Sequence, residues 1–332
     1  MRKPTRTNYR KPRNFVQQKN KDRFFTKDDI FISRIASILL VPKDKVESLF
    51  SQRAITTIRL NPLKGNTEKT KQSLEEKEIE LQEIPYVKDT YFVLNMDKSE
   101  MSQTEEYQDG KFYIQNLSSI LAALVLDPKP GEKVLDMCAA PGSKTTHLSA
   151  LMNNKGMLIA NDSDTARVSS LRNVLTQFGA KNAKATLSDA TDFGTKYPNY
   201  FDKILLDAPC SGEGMIYMRG EKPLRFWSID KIKRCSYIQR DLILSAFRAL
   251  KPGGTMVYST CTLEPEENEG VVTFLLDHFP NAQVEETGLH YDKGITKWSG
   301  NVYSPKVKKT TRLLPSSKMM AFYIAKIKKS QP

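Results

Sequence analysis

Cys210 and Cys261 each follow an apolar run: Lys203-Ile204-Leu205-Leu206-Asp207-Ala208-Pro209-Cys210, and Thr255-Met256-Val257-Tyr258-Ser259-Thr260-Cys261. Both runs read as core strands of an α/β sheet, in which chemistry collects beyond the carboxyl ends of parallel strands. A thiolate is the most reactive side-chain nucleophile near neutral pH, so two thiols at such positions point to covalent catalysis. A free cysteine taken alone is more often a small buried hydrophobe. The residues around these two argue for the chemical role.

A second set of residues is suited to holding a nucleoside. The run Asp136-Met137-Cys138-Ala139-Ala140-Pro141-Gly142-Ser143-Lys144-Thr145 leaves a strand and opens a helix, and its small residues let backbone approach a ligand closely. It is not a phosphate-binding P-loop, because Ser143 rather than Gly precedes Lys144, and the chain has no G-x-G-x-x-G here. The next three strands end at Asn161-Asp162, Ser188-Asp189 and Asp207. An acid like Asp162 commonly accepts hydrogen bonds from ribose hydroxyls, and Asp189 is placed to approach an adenine edge. One terminal Asp is usually a helix cap. Three in succession after a small-residue turn indicate a nucleoside without a phosphate cradle, which favours S-adenosylmethionine over NAD or ATP.

Positioning these groups requires a doubly wound sheet. Strand patterns are expected at 133–136, 157–161, 183–187, 203–206, 255–259 and 322–325, and helices at 117–126, 144–152, 165–178, 237–250 and 266–278. That alternation predicts an α/β, Rossmann-like sheet with helices on both faces, spanning residues 111–328. Residues 25–110 read as a smaller α+β domain. Thr26 and Asp29 cap a helix carrying Phe31, Ile35, Ile38 and Leu39, and Pro42 separates it from a second helix at 43–50. A strand follows at 55–60, then a charged exposed helix at 69–78 and two short strands around Pro85. Residues 1–24 are basic, polar and broken by Pro4 and Pro12, as expected of a disordered nucleic-acid-binding arm.

The chain has 332 residues, a net charge of +13 and four cysteines. Lys and Arg cluster in residues 1–23 and 303–332, which points to a polyanionic partner whose binding falls steeply with salt. Cys138, Cys210, Cys235 and Cys261 are too far apart for a paired zinc site or redox dithiol, so no metal is expected, and their scarcity fits a reducing cytosol. No apolar run reaches the roughly 18–20 residues that span a bilayer, and no signal segment follows the start. His147 and Arg167 read as helix-face residues, and Trp227 as core, with Tyr217 and Phe226 as further stacking candidates.

From about residue 50 to 328 the sequence resembles the RNA cytosine-5 methyltransferases, the Nop/Sun proteins, and most of all their bacterial small-subunit (16S) ribosomal RNA type. The resemblance is carried by the run from Cys138 to Thr145, by Asp207-Ala208-Pro209-Cys210-Ser211-Gly212-Glu213-Gly214, and by Tyr258-Ser259-Thr260-Cys261-Thr262 with Pro265-Glu266-Glu267-Asn268-Glu269. Arg59-Leu60-Asn61-Pro62-Leu63-Lys64 and Phe112-Tyr113-Ile114-Gln115 match as well. The resemblance implies an S-adenosylmethionine site at Cys138, Ala139, Ala140, Pro141, Gly142, Ser143, Lys144, Asp162, Asp189 and Asp207. It implies Cys261 as the nucleophile that adds to cytosine C6, Cys210 as the cysteine that assists release, and Asp207 at the cytosine edge. A monomer acting on ribosomal RNA, free or in a ribosomal subunit, is expected. A transfer RNA enzyme and a catalytically silent ribosome-assembly factor are the alternatives. A helix N-terminus just after Cys261 is expected to favour the thiolate, with Glu264, Glu266 and Glu267 capping that helix and facing away from the sulfur. Relatives often carry an Arg-Lys pair shortly after the position of Gly214; here Met215-Ile216-Tyr217-Met218 intervenes before Arg219.

Overall fold

The computed structural model describes residues 25–331; the basic arm expected at 1–24 lies outside them. Helix Lys27–Leu39 opens with the expected capping box, the Thr26 hydroxyl accepting from the Asp29 amide at 3.1 Å and the Asp29 carboxylate from the Thr26 amide at 3.0 Å. Four strands, β1 (Thr57–Leu60), β2 (Leu81–Glu83), β3 (Thr90–Val93) and β4 (Phe112–Ile114), pair antiparallel in the order β2-β3-β1-β4. All four residues of β1 are buried, because both faces of this small sheet are covered. Ile58 and Leu60 enter its own core with Leu74 of helix Thr67–Glu76. Arg59, on the opposite face, reaches Thr146 of helix Ser143–Leu151 at 3.1 Å and Gln115 at 3.1 Å. Burial lowers the pKa of Arg59 to about 10.

The large sheet contains β5 (Lys133–Asp136), β6 (Met157–Asp162), β7 (Ala183–Leu187), β8 (Phe201–Asp207) and β9 (Leu250–Thr260), parallel in the order β7-β6-β5-β8-β9. The following strands are β10 (Ala282–Glu285), β11 (Asp292–Lys293), β12 (Lys297–Trp298), β13 (Asn301–Val302), β14 (Thr311–Leu313) and β15 (Phe322–Lys329). β15 runs antiparallel beside β9, and β14 beside β15, while β12 and β13 form a separate hairpin. The strand period of two sorts side chains cleanly. Leu135, Ile204, Leu206, Met256 and Tyr258 pack against helices Ile229–Ala249 and Glu269–His278. Val134, Leu158, Leu205 and Val257 pack against helix Leu117–Leu126, which is apolar nearly all round and therefore sandwiched. Sheet order reverses between β5 and β8, and a ligand crevice belongs at their carboxyl ends. Among the described residues, no helix is long and apolar enough to cross a membrane.

The two N-terminal helices, Lys27–Leu39 and Lys43–Phe50, pack on the large sheet's side of the molecule. Phe31, Ile35, Val46 and Phe50 form one core with Leu224, Trp227, Ile232, Leu263 and Ala321. Trp227 is buried edge-on to Phe31 at 5.3 Å, so it is core, and it is not exposed for base stacking.

Candidate active site

The crevice at the strand ends is a cavity of about 680 Å³, within the usual range for a cofactor or small ligand. Its wall includes Cys138, Ala140, Asp162, Asp189, Asp207, Cys210 and Cys261, drawn from β6, β8 and the turns after β5, β7, β8 and β9. Ala139, Pro141, Gly142, Ser143 and Lys144, expected at the cofactor, belong to the same turn and helix start but are not among the residues that line the cavity. Gly142 adopts φ +112°, and a Cβ there would stand 2.9 Å from Leu171 and from Val174, so glycine lets this turn dock on helix Thr165–Gln177. Asp136 is buried under the same turn and accepts from the Thr145 hydroxyl at 2.7 Å; burial pushes its pKa up to about 7.

Asp162 is almost fully buried at the end of β6. Its two oxygens accept from the Ala140 amide at 3.3 Å and the Asp164 amide at 3.1 Å. Arg167 approaches it at 3.3 Å and donates to the Ala140 carbonyl at 2.7 Å, so this helix residue lines the cavity. Asp189 is exposed and accepts from the Thr191 amide and hydroxyl at 2.9 and 2.7 Å, which lower its pKa. The acids Asp162, Asp189, Asp207 and Asp241 and the cations Arg167 and Lys231 line the cavity together. An adenosine moiety bearing a cationic sulfonium fits this donor set: carboxylates for hydroxyls and positive charge, small side chains for close approach, and no phosphate cradle.

At the other end of the cavity, the Cys210 and Cys261 sulfurs are 3.0 Å apart. The hydrogen bond between them, then burial, holds the Cys210 pKa well above the usual thiol range. Burial likewise pushes the Cys138 thiol up, which leaves Cys138 a neutral wall residue. Asp207 accepts from Ser259 at 2.7 Å on one oxygen and from the Lys144 ammonium at 2.6 Å on the other. Burial opposes the charge on Lys144, yet the charge and hydrogen bond of Asp207 outweigh it and raise its pKa. Lys144 is therefore a buried partner of Asp207 and not a solvated helix-start lysine; its positive charge also acts on Cys261.

The helix expected directly after Cys261 begins only at Glu269, and its N-cap, Asn268, makes no side-chain cap bond. None of the three glutamates caps it. Glu264 and Glu266 bind Arg34, with Nε to Glu264 at 2.7 Å and a terminal nitrogen to Glu266 at 2.8 Å. Glu267 accepts from the Ser211 amide at 3.0 Å and from Gln239 at 2.8 Å, and Gln239 also donates to the Pro209 carbonyl at 2.8 Å. The two cysteine loops are thus tied by Glu267 and Gln239 around the sulfur pair. Glu213 makes a second tie, accepting from Trp227 at 2.9 Å, Thr262 at 2.7 Å and the Leu263 amide at 3.0 Å. Long-range pairing of this kind leaves no mark in sequence spacing, which is why Gln239 and Lys231, which donates to the Ser211 carbonyl at 2.9 Å, were not among the expected site residues; Arg167 and Asp241 also line the cavity without having been expected there.

Family comparison agrees with this geometry. The 16S rRNA methyltransferase RsmB/F model matches residues 123–328, and the model for the N-terminal domain of 16S rRNA methyltransferase RsmF matches residues 28–117. A tRNA (cytosine(49)-C(5))-methyltransferase of Pyrococcus abyssi is 46% identical over 276 residues, covering 82% of this chain and 88% of that protein. Ribosomal RNA small subunit methyltransferase F of Pectobacterium carotovorum is 42% identical over 230 residues, covering 68% of this chain and 47% of that protein, so the chain spans about half the length of that relative. Among solved structures, a methyltransferase homolog protein from Pyrococcus horikoshii superposes with a TM-score of 0.79 at 34% identity, covering 91% of this chain and 95% of that one. NSun6 from the same organism, solved with SFG, gives 0.74 at 25% identity over 92% and 98% of the two chains. With a family model matching well over half its length and a catalytic sheet to suit, the chain belongs to the 16S rRNA methyltransferase RsmB/F family.

Proposed function

We propose that this protein methylates C5 of a cytosine in RNA, with Cys261 forming a transient bond to C6. The observation that carries the reading is the pair of sulfurs 3.0 Å apart on the wall of a nucleoside-sized cavity. Asp162, Asp189 and the turn at Cys138–Ala140 would hold S-adenosylmethionine, which supplies an electrophilic methyl group when bound. Cytosine C5 is a weak nucleophile, and thiolate addition at C6 places electron density there. A free thiol is only a few per cent ionised at neutral pH, and the attacking species in this reading is the thiolate, beside Cys210 at 3.0 Å. Asp207, held by Lys144 and Ser259, faces the cavity and offers its charge to the protonated N3 edge of the ring. In the release step C5 gives up its proton to water, the C5–C6 double bond re-forms and the Cys261 sulfur leaves. A protonated Cys210 suits that step as a hydrogen-bond donor to the departing thiolate.

The target base must leave its stack, which costs roughly a few kcal/mol and least in a loop or single strand. The family models favour ribosomal RNA as the acceptor, free or in a subunit. The match over 88% of the archaeal transfer RNA enzyme favours the second reading, transfer RNA. We expect a monomer working in the cytosol, in keeping with four free thiols.

Incubation with radiolabelled S-adenosylmethionine and separated ribosomal and transfer RNA fractions tests all of this. Label should appear as 5-methylcytidine in one fraction and vanish with Cys261→Ala, whereas Cys210→Ala should accumulate a protein–RNA adduct resistant to denaturing gels. Label on an exocyclic amine would reject the mechanism.

A further inference from the structure

Beside the cofactor cavity lies a second cleft, of about 390 Å³, lined by the polar Gln52, Arg53 and Asn116 and by Met215, Tyr217 and Met319. The two cavities share Met215. Their common wall is fixed to the nucleophile's own backbone, since the Gly214 amide donates to the Cys261 carbonyl at 2.8 Å. A Cβ on Gly214 would stand 2.3 Å from the Ala321 carbonyl oxygen, so only glycine allows that approach. The Met218 amide in turn donates to the Phe50 carbonyl at 2.8 Å, which seats the loop against the segment carrying Gln52 and Arg53.

The chemistry of the cleft is specific. None of its lining residues is acidic, and the Arg53 guanidinium lies over the Tyr217 ring, 4.5 Å from its centroid. Among the described residues no carboxylate pairs with Arg53, which is exposed. An unpaired guanidinium on an aromatic face, with the Gln52 amide beside it in sequence, is the equipment for one unpaired nucleotide; Asn116 also lines the cleft, its oxygen held by the Ser118 amide at 3.0 Å. The guanidinium meets phosphate, the ring and Met215 meet the base face, and the Gln52 amide meets a base edge.

We propose that this cleft binds the RNA nucleotide adjoining the target cytosine, with Arg53 on its phosphate and Tyr217 and Met215 beneath its base. The proposal rests on the RNA methyltransferase reading and assigns that site a specificity-determining neighbour.

The test uses the full chain and a short fluorescein-labelled single-stranded RNA with one cytosine, varied in the bases flanking it. Arg53→Ala should weaken RNA binding about tenfold and lower the salt slope by about 0.7, the value for one lost phosphate contact on a single strand. Tyr217→Ala should weaken binding about tenfold through lost stacking. Gln52→Ala should change the preference among flanking bases. S-adenosylmethionine binding by calorimetry should match wild type in all three, which shows the fold intact, and Arg53→Lys should recover the salt slope without full affinity. If wild type methylates the cytosine while Arg53→Ala and Tyr217→Ala bind and turn over the RNA normally, the cleft assignment is overturned. If binding depends on Arg53 but wild type transfers no methyl to C5, the cleft stands and the enzymatic reading is what fails.

Discussion

At the scale of single residues, the arrangement around the two sulfurs shows how charge is distributed for the reaction. Lys144 and Asp207 form a nearly enclosed pair, and an enclosed pair reacts strongly to loss of either member. Asp207→Asn should lower kcat by roughly 10²–10³-fold, the usual effect of removing one electrostatic contact to a reacting group. Single-turnover adduct formation at saturating S-adenosylmethionine should slow equally. Glu267 makes a prediction of a different kind. Burial raises its pKa from 4.5 to about 8, so between those values the folded chain holds a proton that the unfolded chain has lost. Its contribution to stability is complete below about 4.5 and is lost as pH rises through about 8. Denaturant titrations across that window should show stability falling with pH, and Glu267→Gln should flatten the slope. An unchanged slope would mean that Glu267 is ionised in the folded state.

The elements explain both what the sequence disclosed and what it concealed. Parallel strands buried on both faces appear as short apolar runs, so β5 and β7 are found at their expected limits and β6, β8 and β9 within a few residues. Their ends carry Asp162, Asp207 and Cys261, so most of the site was legible as well. Helix Ile229–Ala249 was expected to begin eight residues later, because its first buried stripe is Ile232, Ser236 and Gln239. Two of those three residues are polar, Gln239 facing the Pro209 carbonyl and Glu267, so an apolar-periodicity reading finds only Ile232 there and passes over the turn. The same feature hid Gln239 as a site residue. The turn before helix Ser143–Leu151 is the element most sensitive to a small change. Gly142→Ala should cost about 1–3 kcal/mol through a strained left-handed backbone and contact with Leu171 and Val174. Calorimetric unfolding should show a lower Tm, and S-adenosylmethionine binding should weaken as the Cys138–Ala140 wall shifts.

For the molecule as a whole, distant parts of the chain converge on the loop that follows Cys261. Arg34 comes from the first helix to Glu264 and Glu266, and Arg312, from β14, makes a buried bidentate pair with Glu269 at 2.6 Å on both oxygens. Arg34→Met leaves the fully buried Glu264 without its cation. It should cost roughly 3–5 kcal/mol in urea denaturation, as expected for breaking a buried pair from one side. Hydrogen exchange should then rise together in residues 27–50 and in the 261–269 loop.

The pairing of β9 with β15 has a consequence for the life of the newly made chain. Thr260, next to Cys261, is opposite Tyr323, so until residues 322–329 emerge from the ribosome β9 is an unpaired edge and Cys261 ends a strand with no neighbour on one side. A nascent polypeptide stalled before β15 therefore carries Cys261 at the end of a strand whose outer edge is still open.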